Sequence, residues 1–362
     1  MHLQSLYLRN FRSYEDELVT FSPHCNLILG KNGEGKTNLL EAISLLCTGK
    51  SFRTFHLTDL ICLEKETFYL EACFFKEGVE QSLQLTFDGK IKSVVHNATV
   101  YQGFLPLIGL LPIVVCAPED GALISGPPAE RRRFLDLQIA QSDPLYLYHL
   151  SRYYRAMKQR NVLLKKRLLS TISSWEEIMA LSGTYLIQKR QSAIDRLNQS
   201  VGEFMQELSG EKEKLELHYL ASVFTKREEE LIAALRAAFE KYRSKEMEIG
   251  STLHGPHRDE IQIFIDERSA KSFSSEGQKR CALLALRLAE WQRMHEETLQ
   301  KPFLALDDFT SHLDKRRLRF LEEKLCELGQ IFLTSPESDL TFLNQKANFL
   351  SFTVSKGKVY GI

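Results

Sequence analysis

From Leu3 to Arg9 apolar and polar side chains alternate, and Asn26-Leu27-Ile28-Leu29 is a short apolar run that stops at Gly30. Both patterns predict strands. Beyond a glycine-rich turn the spacing becomes helical, with Leu39, Leu40, Ala42, Ile43 and Leu46 on one stripe. Residues 60–117 return to a sheet-like texture, with strands predicted at Phe68–Ala72 and Leu83–Phe87 and turn signals such as Asp88-Gly89.

At Gly126-Pro127-Pro128 the texture changes. Leu147, Leu150, Tyr154, Met157, Asn161, Leu164 and Leu168 step by threes and fours, and Ile187, Ile194, Leu197, Val201, Phe204 and Leu208 do much the same. Two such stripes joined near Ser170–Ser174 predict an antiparallel helical arm; two surface helices packed on a core would give the same stripes. Ser173 and Glu176 have capping-box spacing and would start the second helix. Strand signals return at Ile261–Ile265, a helix is predicted from about Gly277 to Met294, and Phe303–Leu306 is a strand running into Asp307-Asp308. The last strand-like piece is Gln330–Leu333. The pattern therefore predicts an α/β protein of three stretches: 1–125, a helical domain 126–245, and 246–362.

Composition narrows the class only slightly. The 362 residues are 43% hydrophobic and 26% charged, as in ordinary globular proteins. Lys+Arg and Asp+Glu both total 47, so any surface for an anionic polymer has to be local. Cys25, Cys47, Cys62, Cys73, Cys116, Cys281 and Cys326 form no Cys-x-x-Cys pair and sit mostly in apolar company, which reads as reduced core thiols of a cytoplasmic protein. The chain opens without the basic-then-apolar run of a signal peptide. The apolar stretch Phe104–Ala117 is too short to span a bilayer, so no membrane partner is expected.

The chemistry begins at Gly30-Lys31-Asn32-Gly33-Glu34-Gly35-Lys36-Thr37, which fits G-x-x-x-x-G-K-[ST]. Glycines let the backbone turn its N–H groups onto phosphate oxygens, and the following helix adds its positive end. Lys36 would reach the β- and γ-phosphates of ATP, and Thr37 would ligate Mg²⁺. A second Gly-Lys-Ser at Gly49-Lys50-Ser51 sits at a helix end, where the dipole disfavours phosphate, and reads as a helix stop. A loop of this type needs a carboxylate at the end of a neighbouring buried strand. Asp307 is placed there for the metal, with Asp308 to orient or deprotonate the hydrolytic water.

Phe273-Ser274-Ser275-Glu276-Gly277-Gln278 leads into a helix and resembles the Ser-x-Gly-Gln signature of ABC-type ATPases, with Ser275, Gly277 and Gln278 on the γ-phosphate held by another head. Asp314, after Ser311-His312-Leu313, resembles the D-loop of the same class. One loop and one signature per chain imply that the chain pairs across ATP with a copy of itself, as a homodimer, or with a relative. Pro144 to Ser170 contains no Asp or Glu but carries Arg152, Arg155, Lys158 and Arg160 among tyrosines, and Arg131-Arg132-Arg133 lies just before it. Arg131, Arg132, Arg152, Arg155, Lys158 and Arg160 are therefore candidate DNA contacts, to backbone and shape rather than to bases. His254-Gly255-Pro256-His257-Arg258-Asp259 reads as a turn whose His or Arg contacts a phosphate or a partner.

Together these residues resemble the RecF recombination and repair ATPases. The resemblance is carried by Leu8–Tyr14, Gly30–Ile43, Ser51-Phe52-Arg53-Thr54, Arg131–Asp136, Gln159-Arg160-Asn161 and Gly255–Asp259, and runs nearly end to end. It implies an ABC-type head with a helical arm and ATP-dependent dimerisation on DNA. It also implies slow DNA-stimulated hydrolysis and action with RecO and RecR to load a recombinase at gapped duplexes and single-/double-strand junctions, in replication and the SOS response. His312 stands where the family usually has glutamate, Glu276 where Gln or a small polar residue is more usual, and Leu333-Thr334-Ser335 where ABC transporters carry a switch histidine. These departures bear on hydrolysis more than on binding. Two rival readings are a transporter's nucleotide-binding subunit, which would not need the basic arm, and a nucleotide-gated scaffold that touches DNA weakly.

Overall fold

The computed structural model describes all residues except 211–212, 226, 309–319, 322, 326, 337–348 and 362. The predicted D-loop, Ser311 to Asp314, lies outside the described residues. Two compact units emerge: Met1–Gly121 with Gln206–Lys212 and Leu283–Ile362, and Ala122–Met205 with Glu213–Ala282.

In the first unit His2–Phe11 (β1) pairs antiparallel with Tyr14–Thr20 (β2), and Cys25–Leu29 (β3) leads through the glycine-rich loop into Lys36–Thr48 (α1). Phe68–Lys76 (β4), Val79–Phe87 (β5), Lys92–His96 (β6) and Thr99–Tyr101 (β7) complete a six-stranded antiparallel sheet of order β2-β1-β4-β5-β6-β7. The strand Ile113–Cys116 (β8) belongs to a second sheet. Its other members come from the chain's end: Phe303–Leu306, Ile331–Ser335, Phe349–Ser355 and Lys358–Gly361. Between β8 and these lies the second unit. It contains helices Gly121–Ser125 (α2), Pro128–Ser142 (α3), Pro144–Lys166 (α4) and Ile172–Ser209 (α5), then strand Leu215–Leu220 (β9) and helix Leu231–Ile249 (α6). Strands Glu260–Ile265 (β10) and Arg268–Ser269 (β11), a short helix Ala270–Phe273 (α7) and the start of helix Glu276–Thr298 (α8) complete it.

With the late strands numbered β12 to β15 in chain order, the second sheet has the order β15-β14-β3-β13-β12-β8 and is parallel except for β15. Parallel strands are buried on both faces, so β12 reads as an unbroken apolar run, while β3 is broken only by Asn26 and β13 turns polar only at Thr334-Ser335. Helix α1 is buried nearly all round, through Leu39, Leu40, Ile43, Leu45 and Leu46, because it sits in one core cluster with residues of both sheets. Gly49 stops it in a left-handed C-cap at φ 71°, its N–H donating to the Leu45 carbonyl, as expected of the second Gly-Lys-Ser. Cys25, Cys47 and Cys281 are buried, whereas Cys62, Cys73 and Cys116, expected in the core as well, are half-buried, and Cys326 lies outside the described residues. The final hairpin β14–β15 lies beyond the last strand the pattern indicated. Only Phe352 and Val354 of β14 are buried, too few to show a period.

The second unit is richer than a pair of helices. Tyr185 donates to Asp143, His149 meets Ser182 and Arg160 pairs with Glu176, so α4 and α5 run antiparallel. Ile187, Ile194, Leu197, Val201 and Leu208 of α5 are buried as the stripe predicted, each stabilising by about 1.5–3 kcal/mol. On α4 the buried face is instead Tyr146, Tyr153, Ala156, Arg160 and Leu164. Its centre is polar and satisfied by hydrogen bonds, which an apolar stripe cannot reveal. Helix α5 starts at Ile172, and the Glu176 carboxylate is taken by Arg160 and Arg243, so the Ser173–Glu176 capping box is not used. Leu215–Leu220, inside the stretch read as helical, is a strand pairing with β10 from Glu260↔Leu220 to Ile265↔Leu215. That pairing draws residues 246–282, expected with the C-terminal part of the head, into the helical unit.

Candidate nucleotide site and the cationic helix

Strand order brings the predicted nucleotide residues together. The glycine-rich loop leaves the carboxyl end of β3 and Asp307 leaves that of β12, with β13 between them, so Thr334 and Ser335 lie under the gap. Open parallel sheets bind ligands outside these strand ends. Gly30, Gly33 and Gly35 have φ of 150°, 84° and 118°. At Gly35 a Cβ would stand 2.8 Å from Ser13 Oγ, so only glycine suits both the conformation and the space. Lys31 and Asn32 are the exposed tip of the loop, and Glu34 is half-buried.

Lys36 is 7% exposed, and its ammonium donates to the Gly30 carbonyl at 2.6 Å and the Lys31 carbonyl at 2.9 Å. Burial lowers its pKa, and Asp308, Asp307 and Glu34 pull it back up. The Thr37 hydroxyl donates to Asp307 at 2.9 Å and 3.0 Å from its two carboxylate oxygens. Thr334 Oγ1 donates to Asp307 Oδ1 at 2.6 Å and accepts the Asp308 N–H at 2.7 Å. Burial pushes the Asp307 carboxyl up, against the lowering by the two threonine hydroxyls. Asp308 is exposed, with φ 50°.

These residues fit a magnesium nucleotide. Helix α1 has no side-chain cap, which leaves its first N–H groups to an anion. A hydroxyl and a buried carboxylate side by side are hard oxygen donors suited to Mg²⁺, and a cation there would relieve the cost of burying the acid.

A second layer escaped the reading of the loop alone. Glu41 of α1 is fully buried and held by two of the Arg12 nitrogens at 2.9 Å, by the Ser51 hydroxyl, and by Arg53 at 3.6 Å. Arg53 also donates to Asn38 at 3.1 Å, and Asn38 to Ser13 Oγ at 3.0 Å. These are residues that carried the family resemblance around Leu8–Tyr14, Gly30–Ile43 and Ser51–Thr54, and the signal was present there without its geometry.

Comparison with known proteins agrees with this architecture. A family model described as an AAA domain matches residues 5–324. The DNA replication and repair protein RecF of Protochlamydia amoebophila (strain UWE25) is 44% identical over 339 residues, spanning 93% of this chain and 94% of its own. That of Chlamydia caviae is 38% identical over 354 residues, covering 97% and 96%. The chain belongs to the RecF family. Among solved structures, a RecF–ATP complex described as a recombination mediator of the RecFOR pathway superposes with a TM-score of 0.92 at 31% identity, covering 100% of this chain and 99% of that one. The Smc head domain of Pyrococcus furiosus, 16% identical with a TM-score of 0.56 over 100% and 96% of the two chains, shares the fold. The fold is thus that of an ABC-type ATPase head with an inserted helical domain, as the RecF resemblance implied.

In the second unit the segment predicted as the signature opens α8. Ser275 N–H donates to Gln278 Oε1 at 2.8 Å and Gln278 N–H to Ser275 Oγ at 3.2 Å, a reciprocal cap. Gln278 Nε2 donates to Glu213 at 2.8 Å, and Ser275, Glu276 and Gly277 are exposed.

The candidate DNA residues divide. Arg155 and Lys158 are exposed and make no ion pair among the described residues; Arg152 is half-buried, its guanidinium 5.9 Å from the Tyr148 ring centroid. Arg160 is fully buried, bound to Glu176 at 2.9 Å, Glu246 at 2.6 Å and Thr252 at 3.0 Å, and so leaves the DNA-facing set. Arg131 is 7% exposed and paired with Glu260 at 2.8 Å, and it leaves too. Arg132 donates to the Asp259 carbonyl at 2.7 Å. The exposed stripe Arg155, Lys158, Lys165 and Lys166, with Arg167 at the C-cap, is what α4 offers to a polyanion.

His257 is likewise structural rather than a phosphate contact. Its Nε2 donates to the Thr252 carbonyl at 3.0 Å, so Nδ1 accepts the Tyr153 hydroxyl at 2.7 Å. Burial pushes its pKa down to about 4. Because the folded value lies below the ordinary one near 6.5, the unfolded chain takes the proton first as pH falls. This stability is complete above about pH 6.5 and is lost between there and about 4, up to about 3 kcal/mol. Urea titrations at pH 7.5 and 5 should show about 2 kcal/mol of that loss in the parent and a smaller one in His257→Gln.

Proposed function

We propose that this RecF-family chain is an ATP-switched, DNA-binding homodimer of recombinational repair and replication, acting in the cytoplasm. The observation that carries the reading is the convergence of Lys36, Thr37 and Asp307 at the carboxyl ends of β3 and β12, with Thr334 bracing the acid. Lys36 and the N–H groups from Gly33 to Thr37 bind the phosphates, and Thr37 and Asp307 hold Mg²⁺. Bound magnesium supplies charge neutralisation on the phosphates. Asp308, exposed beside Asp307, orients or deprotonates the attacking water; the family resemblance supports a weak, DNA-stimulated ATPase.

Ser275, Gly277 and Gln278 stand at an exposed helix start and serve the γ-phosphate held by a second copy. ATP then favours the closed dimer because it binds that state better. The exposed cations of α4 give the chain affinity for phosphate backbones, with gapped duplexes and single-/double-strand junctions as substrates. The family resemblance supports RecO and RecR as partners, recombinase loading and a contribution to the SOS response. The absence of acids from Pro144 to Ser170 favours this reading over a transporter subunit.

The test is fluorescence anisotropy of a labelled gapped duplex with Mg²⁺ and ATP or ADP. Tight binding with ATP and weak binding with ADP is expected. Ser275→Arg should still bind ATP yet fail to dimerise, and Arg155→Glu with Lys158→Glu should weaken DNA binding at least about tenfold at low salt. Equal binding with both nucleotides, or ATP-dependent dimers of Ser275→Arg, would overturn the clamp.

A further inference from the structure

The phosphate-binding loop is gripped from outside by the C-terminal hairpin. The turn between β14 and β15 is Lys356-Gly357, at φ 49° and 70°. The Lys356 N–H donates to the Glu34 carboxylate, and the Gly357 N–H donates to the Glu34 carbonyl at 3.1 Å. Gly30, where the loop begins, backs onto β14, since a Cβ there would stand 2.4 Å from the Val354 carbonyl oxygen. Gly357 backs onto the β1–β2 turn, since a Cβ there would stand 2.0 Å from the Ser13 carbonyl oxygen. From that same turn the Tyr14 hydroxyl donates to the Gly35 carbonyl at 2.9 Å. The loop is therefore wedged between two turns that also touch each other.

Glu34 is the one acid in Gly30–Thr37, and an acid is an unexpected neighbour for a triphosphate. Left free it would repel the γ-phosphate, and its charge is already felt by Lys36. Two backbone N–H donors hold its carboxylate and carbonyl toward the hairpin instead. A carboxylate so engaged stays where it is, because giving up a hydrogen bond to a charged group costs more than giving up a neutral one.

We propose that Glu34 is a positioning residue for nucleotide binding, hooking the phosphate loop to the Lys356-Gly357 turn and keeping its own charge turned away from the triphosphate. The proposal rests on the ATP-binding reading above. It assigns the C-terminal hairpin a part in setting nucleotide affinity.

Fluorescent N-methylanthraniloyl-ATP and -ADP, titrated against the full chain, test it. Glu34→Ala should weaken binding of both nucleotides about tenfold, the size of one lost charge-assisted hydrogen bond, whereas Glu34→Gln should stay within about threefold because its carboxamide oxygen still accepts the Lys356 N–H. Gly357→Ala displaces the turn and frees the Glu34 carboxylate, so it should cost more affinity for the triphosphate than for the diphosphate. Adding Glu34→Gln to Gly357→Ala should then recover part of the ATP affinity. Parent-like binding by Glu34→Ala, equal weakening by Glu34→Gln, or no recovery in the double variant would overturn the hook. Should Gly357→Ala fail to fold by circular dichroism, the Ala–Gln contrast at position 34 decides alone. Binding that is identical in the parent and Lys36→Met would instead indict the nucleotide reading itself.

Discussion

Replacing Lys36 by methionine is expected to lower affinity for ATP at least about a hundredfold, which isothermal titration of parent and variant in Mg²⁺ would read directly. Burial lowers the pKa of the ammonium, and three carboxylates oppose that effect. In the structure it is parked on the Gly30 and Lys31 carbonyls, at 2.6 Å and 2.9 Å, and these hold it at the mouth of the loop. Methionine keeps most of the length of the side chain and removes the charge and all of its donors. A charged donor is worth about 1.5–3 kcal/mol per hydrogen bond, and lysine can reach two phosphate groups at once. Lys31→Met, at the exposed tip of the same loop, serves as a control that should retain most of the affinity. Unchanged binding in Lys36→Met would remove the assignment of the loop.

Much of the first unit was legible because its chemistry is local. The loop announces itself within Gly30–Thr37, and Asp307 follows a buried parallel strand whose run of apolar residues has no polar break. What the sequence hides there is adjacency across the sheet. Thr334 is 27 residues from Asp307, and nothing in its surroundings says that β13 lies between β3 and β12. The C-terminal hairpin is hidden for another reason, since β14 buries only alternate residues at its end and its contact with Glu34 spans 322 positions.

The second unit was less legible because its core is partly ionic. A run of arginines without acids suggests a surface facing phosphate, but charge patterning in sequence does not tell a solvated cation from a buried one. Arg160 and Arg155 are alike in the sequence, yet one is enclosed by Glu176 and Glu246 and the other faces solvent. The acids that enclose Arg160 come from α5 and α6, well outside the acid-free stretch. Several residues that carried the family resemblance in this unit, Arg131, Asp136, Arg160, Asn161 and Asp259, hold it together rather than face a ligand.

Arg190 tests that reading of the second unit most severely. It was not singled out by the periodic pattern, and it is fully buried. Its guanidinium binds Asp136 at 2.8 Å, the Pro256 carbonyl at 2.6 Å and Asp259 at 3.4 Å. Asp136 also accepts the Tyr146 hydroxyl, and Asp259 accepts the Tyr219 hydroxyl and the Ser222 N–H. One cation thus balances two carboxylates contributed by α3 and by the turn before β10. Arg190→Ala would leave both acids in a low-dielectric interior without a counter-charge, a loss of about 3–5 kcal/mol. For a body of 150–250 residues this corresponds to a fall in Tm of about 6–20 °C. Arg155→Ala, which removes an exposed arginine, should shift Tm by less than about 2 °C. Circular dichroism melts of the two variants beside the parent separate the cases. A parent-like melt for Arg190→Ala would mean that the buried ion cluster is not what holds α3, α5 and β10 together, and the withdrawal of Arg131 and Arg160 from the DNA-facing set would then have to be reopened.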